Sequence, residues 1–189
     1  RAYSIDKTND GGYIIAGSAS STDGQLTASF GGNDLWVVKI DQNGILQWQK
    51  SYGGSGDDVA SSVIQTSVGG FIVAGYTNSS GGMITQFYGS YDYWIVKISS
   101  TGNMEWQESY GGPDDDKAKA IIQSSDGTFL IIGKSYSNSG MITDHRGQYD
   151  AWVVKIDPAG GLLWTKSYGG SLYDESFSVV QTPDLGYVI

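Results

Sequence analysis

Cysteine is absent from the 189-residue chain, and histidine occurs only once, at His145. The lack of cysteine excludes a disulfide scaffold. Basic residues are also scarce: 11 lysines and arginines stand against 20 acidic residues, which gives a formal net charge of −9. Nucleic acids and anionic membranes attract basic patches, so this balance argues against both as partners. No stretch approaches the roughly 20 apolar residues of a membrane-spanning helix, and we expect no membrane insertion.

A period of 58 residues runs through the whole sequence without insertion or deletion. The equivalent positions include Trp36, Trp94 and Trp152, then Trp48, Trp106 and Trp164, and the S-Y-G-G runs at 51–54, 109–112 and 167–170. A fixed period of this size is typical of repeat architectures, whose units bury their apolar faces against their neighbours. The tryptophans are therefore expected to be structural core residues rather than ligand-stacking residues.

One repeat unit reads as four β-strands. The second copy predicts strands at Val59–Thr66, Phe71–Gly75, Tyr93–Ser99 and Met104–Tyr110, joined by turns and one long polar loop. The 28 glycines and only three prolines suit such short strands and tight turns. Four sequential antiparallel strands, repeated, describe the blade of a β-propeller, whereas a parallel β-helix needs shorter coils and an α-solenoid needs helical periodicity. The predicted fold is thus all-β, with 14 strands.

These strands make about three and a half blades in one partial propeller domain. The predicted boundaries are 1–54, 55–112, 113–170 and, for the half blade, 171–189. The first copy begins partway through the repeat and the last copy stops inside its second strand, so we expect a section of a longer chain. A propeller needs at least about four blades, and further blades of the same chain, or a neighbouring copy, are expected to complete the ring.

The repeated pattern also resembles a known family. The motif G-G-[YF]-[IL]-[IV]-[AI]-G, followed by D-x-W-[VI]-V-K-I and W-x-x-S-Y-G-G, is similar to the secreted propeller repeats of bacterial surface proteins of Bacteroidetes type. Its D-x-x-G-x-x-x-W part, at Asp41, Gly44 and Trp48, resembles the tryptophan-docking motif of quinoprotein-type propellers, although the second copy has Ser99 in place of the aspartate. The resemblance implies that Trp48, Trp106 and Trp164 pack between adjacent blades.

The sequence differs most between copies in the long loops before the third strands, Ser18–Asn33, Tyr76–Tyr91 and Lys134–Tyr149. Because chain direction reverses at each strand, these loops share one rim with the S-Y-G-G linkers. Variable loops on a rigid scaffold are the usual layout of a binding surface, and unconstrained drift is the alternative. The predicted ligand-binding residues are Phe30, Phe87, Tyr88, His145 and Arg146.

Two rows of aspartates recur on the same rim: Asp34, Asp92 and Asp150 before the third strands, and Asp58, Asp116 and Asp174 before the first strands. Each carboxylate is expected to accept hydrogen bonds from the backbone of its turn. The alternative is Ca²⁺, which takes six to eight oxygen ligands, but no D-x-D-x-D-G spacing is present. A third recurrent row, Lys39, Lys97 and Lys155, is expected to snorkel or to pair with nearby carboxylates.

The search for catalytic groups finds no constellation. His145 lies in a variable loop, there is no G-x-S-x-G elbow, and no glycine-rich loop leads into a helix. We therefore predict a non-catalytic, cofactor-free binding or display module, extracellular or on the bacterial cell surface, that contacts a glycan or protein ligand. The alternatives are a polysaccharide-active or quinoprotein-like propeller enzyme with its active site largely outside this segment, and a building block of an extracellular assembly.

Overall fold

The computed structural model describes residues 1–23, 26 and 29–189. Thr27 and Ala28 of the first variable loop lie outside the described residues. In the described part of the chain there are 14 strands and no helix, as the repeat predicted. The strands are β1 Ala2–Lys7, β2 Tyr13–Ala19, β3 Asp34–Ile40, β4 Leu46–Tyr52, β5 Asp58–Gln65, β6 Phe71–Thr77, β7 Asp92–Ile98, β8 Met104–Tyr110, β9 Asp116–Gln123, β10 Phe129–Ser135, β11 Asp150–Ile156, β12 Leu162–Tyr168, β13 Val180–Gln181 and β14 Tyr187–Val188.

These strands form three four-stranded antiparallel sheets and one two-stranded sheet. Within each large sheet the strands are paired in chain order, β1 to β4, β5 to β8 and β9 to β12, and β13 pairs with β14. The four-stranded meander predicted for each repeat is thus confirmed. The second strand is longer than predicted, because Tyr76 and Thr77 continue the ladder opposite Tyr93 and Asp92.

The central sheet, β5–β8, is covered on both faces. Alternate residues of β7 divide between two cores: Trp94 and Val96 pack towards the first sheet, whereas Tyr93 and Ile95 pack towards the third. A strand buried on both faces reads as a continuous apolar run, which explains the Phe71–Gly75 sequence. Side chains from adjacent sheets therefore share each core.

The repeated tryptophan of the fourth strand lies between sheets. The Trp48 ring is 6.0 Å from the Phe71 ring, and its Nε1–H donates to the Ser100 carbonyl of the second sheet at 3.0 Å. Trp106 packs in the same way against the core shared by the second and third sheets. The expected packing of these two tryptophans between repeat units is confirmed, whereas Trp164 is 38% exposed.

Local polar interactions repeat with the strands. Asp41 Oδ1 accepts the Asn43 and Ile45 N–H groups in the turn after β3, and Ser99 Oγ accepts the equivalent Asn103 N–H, so serine replaces aspartate without loss of the turn. The third-strand lysines pair with carboxylates as predicted. The pairs are Lys39 with Asp10 at 2.8 Å, Lys97 with Glu105 at 2.9 Å and Lys155 with Asp126 at 3.2 Å.

The long loops and the S-Y-G-G linkers meet at one edge of the sheets, as the strand parity predicted. Gly32 N–H donates to the Gly56 carbonyl at 2.9 Å, and Asn78 N–H donates to the Asp57 carbonyl at 3.1 Å. We call this edge the linker rim. In the described residues we find no helix of the length and apolarity that crossing a membrane requires.

Candidate functional site

The six recurrent aspartates come together in pairs at the linker rim, one pair around the first glycine of each S-Y-G-G run. A Cβ atom at Gly111 would lie 2.1 Å from Asp92 Oδ1 and 2.8 Å from Asp116 Oδ2. Both distances are far below van der Waals contact, so only glycine fits there. The same arrangement places Gly53 between Asp34 and Asp58, and Gly169 between Asp150 and Asp174.

Each carboxylate accepts hydrogen bonds from its own turn, as predicted. Asp92 Oδ2 accepts the Tyr88 N–H at 2.8 Å, and Asp116 Oδ2 accepts the Gly112 N–H at 2.7 Å and the Ser137 hydroxyl at 2.9 Å. Equivalent N–H donors serve Asp34, Asp58, Asp150 and Asp174. The aspartates therefore fix the linkers and the long loops to each other.

Burial changes the acidity of these pairs. Loss of solvent raises the pKa of Asp92 and of Asp116 to about 6, and the charge of Asp116 adds to the rise at Asp92. Burial likewise raises the pKa of Asp58, with a further contribution from the Asp34 charge. These are the effects expected for buried carboxyl groups that face a like charge.

The geometry bears on the calcium alternative. Asp92 Oδ1 and Asp150 Oδ1 are buried without a hydrogen-bond partner, and they lie against Gly111 and Gly169. Within the described residues, no group of three or more histidine, aspartate or glutamate side chains is arranged to hold a metal ion. The pairs act as turn acceptors, and no calcium ligand set is found in that part of the chain.

The five predicted ligand-binding residues lie in three separate loops of the linker rim. Phe30, Tyr88 and Arg146 occupy equivalent positions and donate their backbone N–H groups to the paired aspartates. The side chains of Phe30, Phe87 and Tyr88 are about 40% exposed. His145 is held within its loop, with Nε2 2.6 Å from the Gly147 carbonyl oxygen.

The second and third of these loops contact the fourth strands. Gln107 of β8 donates to Thr85 at 2.5 Å, and Lys166 of β12 lies 3.5 Å from Asp144. The structure thus places the predicted residues at one rim of the molecule, in three loops, and their role in ligand binding stays a prediction.

A second group of side chains, missed by the sequence reasoning, also lies at the linker rim, on the first-strand side of the sheets. We call it the tyrosine–lysine cluster; it consists of Tyr76, Tyr91, Lys117, Lys134, Tyr136, Tyr149 and Tyr173. Lys117 Nζ is 3.8 Å from the Tyr91 ring centroid and 5.4 Å from that of Tyr76. Both distances are in the range of cation–π interactions.

The second half of the cluster repeats this stacking. Lys134 Nζ is 4.5 Å from the Tyr149 ring centroid and 4.9 Å from that of Tyr173. The Tyr149 ring lies between Tyr136 and Tyr173, with centroid distances of 5.0 and 4.9 Å. Tyrosine rings held at this spacing form a continuous, partly exposed aromatic surface.

Acidic groups balance the cations of the cluster. Lys117 pairs with Asp115 at 3.0 Å, and Lys134 lies 3.8 Å from Glu175. Burial raises the pKa of Tyr149 to about 12, and the Asp115 charge adds to the rise, so this phenol stays protonated at neutral pH. The surface is therefore amphipathic and nearly neutral, in a molecule whose net charge is −9.

The cluster occupies positions that differ between repeat copies. Tyr76 corresponds to Ser18 and Lys134, Tyr91 to Asn33 and Tyr149, and Lys117 to Val59 and Glu175. The tryptophans, aspartates and third-strand lysines, in contrast, hardly change. Comparing the copies position by position, instead of loop by loop, is the signal that finds this surface from the sequence.

Four repeat copies meet beside the cluster. A groove of about 270 Å³ is lined by Tyr3, Val59, Ser61, Tyr76, Lys119 and Phe177. Tyr3, Ser61, Lys119 and Phe177 are equivalent positions of the four copies. The first strands therefore converge, since β1 contacts β5 and β5 contacts β9.

Comparison with known proteins gives limited similarity. No protein-family model matches the chain. The Regulatory protein FlaEY of Caulobacter vibrioides is 24% identical over 191 residues, a match that covers 89% of this chain and 19% of that protein. A crystal structure of a protein of unknown function from Bacteroides caccae matches with a TM-score of 0.41 and 9% identity, covering 93% of this chain and 72% of that one. The chain thus spans about a fifth of the FlaEY length, and these similarities provide no evidence of catalytic function.

Proposed function

We propose that the sheets are blades of a β-propeller and that the chain is a non-catalytic binding module, extracellular or on the surface of a bacterial cell. Three four-stranded meanders in sequence order, with converging first strands, support the propeller. The resemblance to secreted bacterial repeats supports the location. The aspartate pairs do not favour the enzymatic alternative, because five of the six carboxylates are buried and each pair packs against a glycine.

The tyrosine–lysine cluster carries the proposal. In a chain whose structural positions repeat every 58 residues, this surface is built from copy-specific side chains. Tyrosine supplies a large, rigid and amphipathic contact area at low entropic cost, which is why it is enriched in binding surfaces. The ligand, a glycan or a protein, is expected to contact this cluster first and the predicted loop residues at its margin.

A repeat-exchange variant tests the proposal. The variant Tyr76→Ser, Lys117→Val, Tyr149→Asn replaces each cluster residue by its counterpart in another copy, so every new side chain is already accommodated at that position of the repeat. Glycan arrays and displayed peptide libraries provide the probes. We expect ligands that bind the unmodified chain to bind this variant at least about tenfold more weakly. This decrease corresponds to a loss of about 1.4 kcal/mol of binding free energy.

Val68→Asp is the matched control, because it also exchanges a residue between copies but lies in the turn at the edge opposite the linker rim, where Val68 is 88% exposed. It should leave the affinity unchanged. A second set, Phe87→Ala, Tyr88→Ala, His145→Ala and Arg146→Ala, tests the loops. If the alanine substitutions weaken binding and the repeat-exchange variant does not, the binding site lies in the loops and not in the cluster. If neither set of substitutions changes the affinity, the proposal is wrong.

A further inference from the structure

The outward face of the third sheet carries an apolar groove of about 870 Å³. Its lining includes Leu130 and Val153 on the sheet, Trp164 and Tyr168 on β12, and Phe177 and Tyr187 beyond it. Trp164 is 38% exposed and Tyr168 is 56% exposed. Aromatic residues of this size, exposed side by side, mark an interaction surface.

Leu130 and Val153 are already buried at the base of the groove, whereas Trp164 and Tyr168 are exposed although their counterparts in the first sheet pack in a core. Ile14, Val37, Trp48 and Tyr52 are the counterparts of Leu130, Val153, Trp164 and Tyr168, and they pack in one core with three residues of the next third strand, β7. Those three residues are Trp94, Val96 and Ile98. Tyr52, in this position, is only 3% exposed.

The tip of the next hairpin completes each such interface. Tyr52 OH donates to the Gly102 carbonyl at 2.6 Å, and Tyr110 OH donates to the Gly160 carbonyl at 2.5 Å. Gly102 has a φ of +76°, and a Cβ there would lie 3.0 Å from the Trp48 ring, so glycine alone lets the turn stack on tryptophan. The interface is thus a row of apolar side chains capped by a glycine turn.

We propose that the groove of the third sheet is a docking site for a β-hairpin with the third- and fourth-strand sequence of this repeat. The interface seen twice within the molecule fixes this occupant. The side chains of the hairpin that are equivalent to Trp94, Val96 and Ile98, its tryptophan row, fill the groove. The glycine turn of the hairpin stacks on Trp164, and the carbonyl oxygen of that turn accepts a hydrogen bond from the Tyr168 hydroxyl.

The backbone favours the same occupant. In each four-stranded sheet the second strand pairs with a third, as β2 does with β3 and β6 with β7. Strand β14 is a second strand by its position in the repeat, and a docked hairpin extends its sheet by strand addition, which supplies main-chain hydrogen bonds in addition to the side-chain contacts.

A peptide of residues 92–110, the β7–β8 sequence with its Ser99–Asn103 turn, is the probe. We expect it to bind the 189-residue chain saturably in calorimetry and to shift the tryptophan fluorescence. Tyr168→Phe removes one hydrogen bond and should weaken binding about fivefold to tenfold. Tyr110→Phe, the same change at an interface that is already covered, should leave the peptide affinity unchanged.

Two further peptides separate docking from nonspecific adhesion. The 58–77 peptide, a hairpin from the same repeat without the tryptophan row and the Ser99–Asn103 turn, should not bind. The 92–110 peptide with Gly102→Val should bind at least about tenfold more weakly, because valine disfavours the positive φ and collides with Trp164. Absence of binding at millimolar 92–110 peptide, or equal affinity for the unmodified chain and Tyr168→Phe, would overturn the inference.

Discussion

At the scale of single residues, the third copy lacks one hydrogen bond that the first two contain. Trp36 Nε1–H donates to Gln49 at 2.9 Å and Trp94 Nε1–H donates to Gln107 at 2.8 Å, whereas the buried Trp152 Nε1–H has no partner. The residue equivalent to the glutamines is Thr165. A buried donor without an acceptor costs about 1–3 kcal/mol.

Thr165→Gln should therefore stabilise the protein. The longer side chain brings an amide oxygen to the position that accepts the indole N–H in the other copies. We expect the free energy of unfolding, measured by urea denaturation, to rise by about 1 kcal/mol. Thr165→Leu is the control, since it adds apolar volume without an acceptor and should not reproduce the gain. A stabilisation by leucine equal to that by glutamine would show that packing, not the hydrogen bond, is responsible.

At the scale of elements, the aspartate pairs make the linkers sensitive to pH. The pKa of Asp92 and that of Asp116 are about 6, above the ordinary aspartate value of 3.8, so the folded state binds these two protons more tightly than the unfolded chain does. The stabilising contribution of the protonated pair is present in full below about pH 4 and is lost as the pH rises through 6.

Asp115 behaves in the opposite way. Burial raises its pKa, but hydrogen bonds from Ser90 and Lys117 outweigh burial and lower the pKa overall. Asp115 therefore contributes stability that is lost only as the pH falls through this lowered pKa.

We therefore expect the free energy of unfolding to fall between pH 4.5 and 6.5 in the unmodified chain, and to fall less in Asp92→Asn. Asparagine keeps an acceptor for the Tyr88 N–H and removes the titration of Asp92, whose pKa is raised by burial and by the Asp116 charge, so its share of the slope disappears. Urea denaturation across this pH range measures both slopes. Parallel pH profiles for the two proteins would contradict the assignment of the slope to this pair.

At the scale of the whole molecule, the repeat predicts most of the fold because each unit packs on a copy of itself. The 58-residue period places the strands, and alternation within Tyr93–Ile98 predicts which side chains face each neighbour. The pairing of Asp92 with Asp116 was not predicted, because it joins the end of a long loop to a linker, and their approach depends on how adjacent sheets pack. The tyrosine–lysine cluster was missed for the same reason: Tyr76 lies on the second sheet, whereas Lys117 and Tyr149 belong to the third repeat unit, and only the packing of these units makes them a surface.

The stacked sheets also predict where the molecule is most stable. In repeat architectures, stability is approximately the sum of unit and interface contributions, and the central sheet β5–β8 has two large interfaces. Ile72 and Ile95 are fully buried there, whereas Val180 and Val188 of the two-stranded sheet are more than half exposed. We expect hydrogen–deuterium exchange of the β6 and β7 amides to be at least about a hundredfold slower than that of β13 and β14.

A substitution at one interface tests whether the sheets are coupled only to their neighbours. Trp48→Ala removes the indole that packs on Phe71 and donates to Ser100, and it should speed exchange in the first sheet, with a smaller effect in the second. The third sheet makes its main contacts with the second and should keep its protection, since distant sites behave independently. Faster exchange in all three sheets to the same extent would show that the chain opens as one cooperative unit, and the nearest-neighbour description would then be wrong.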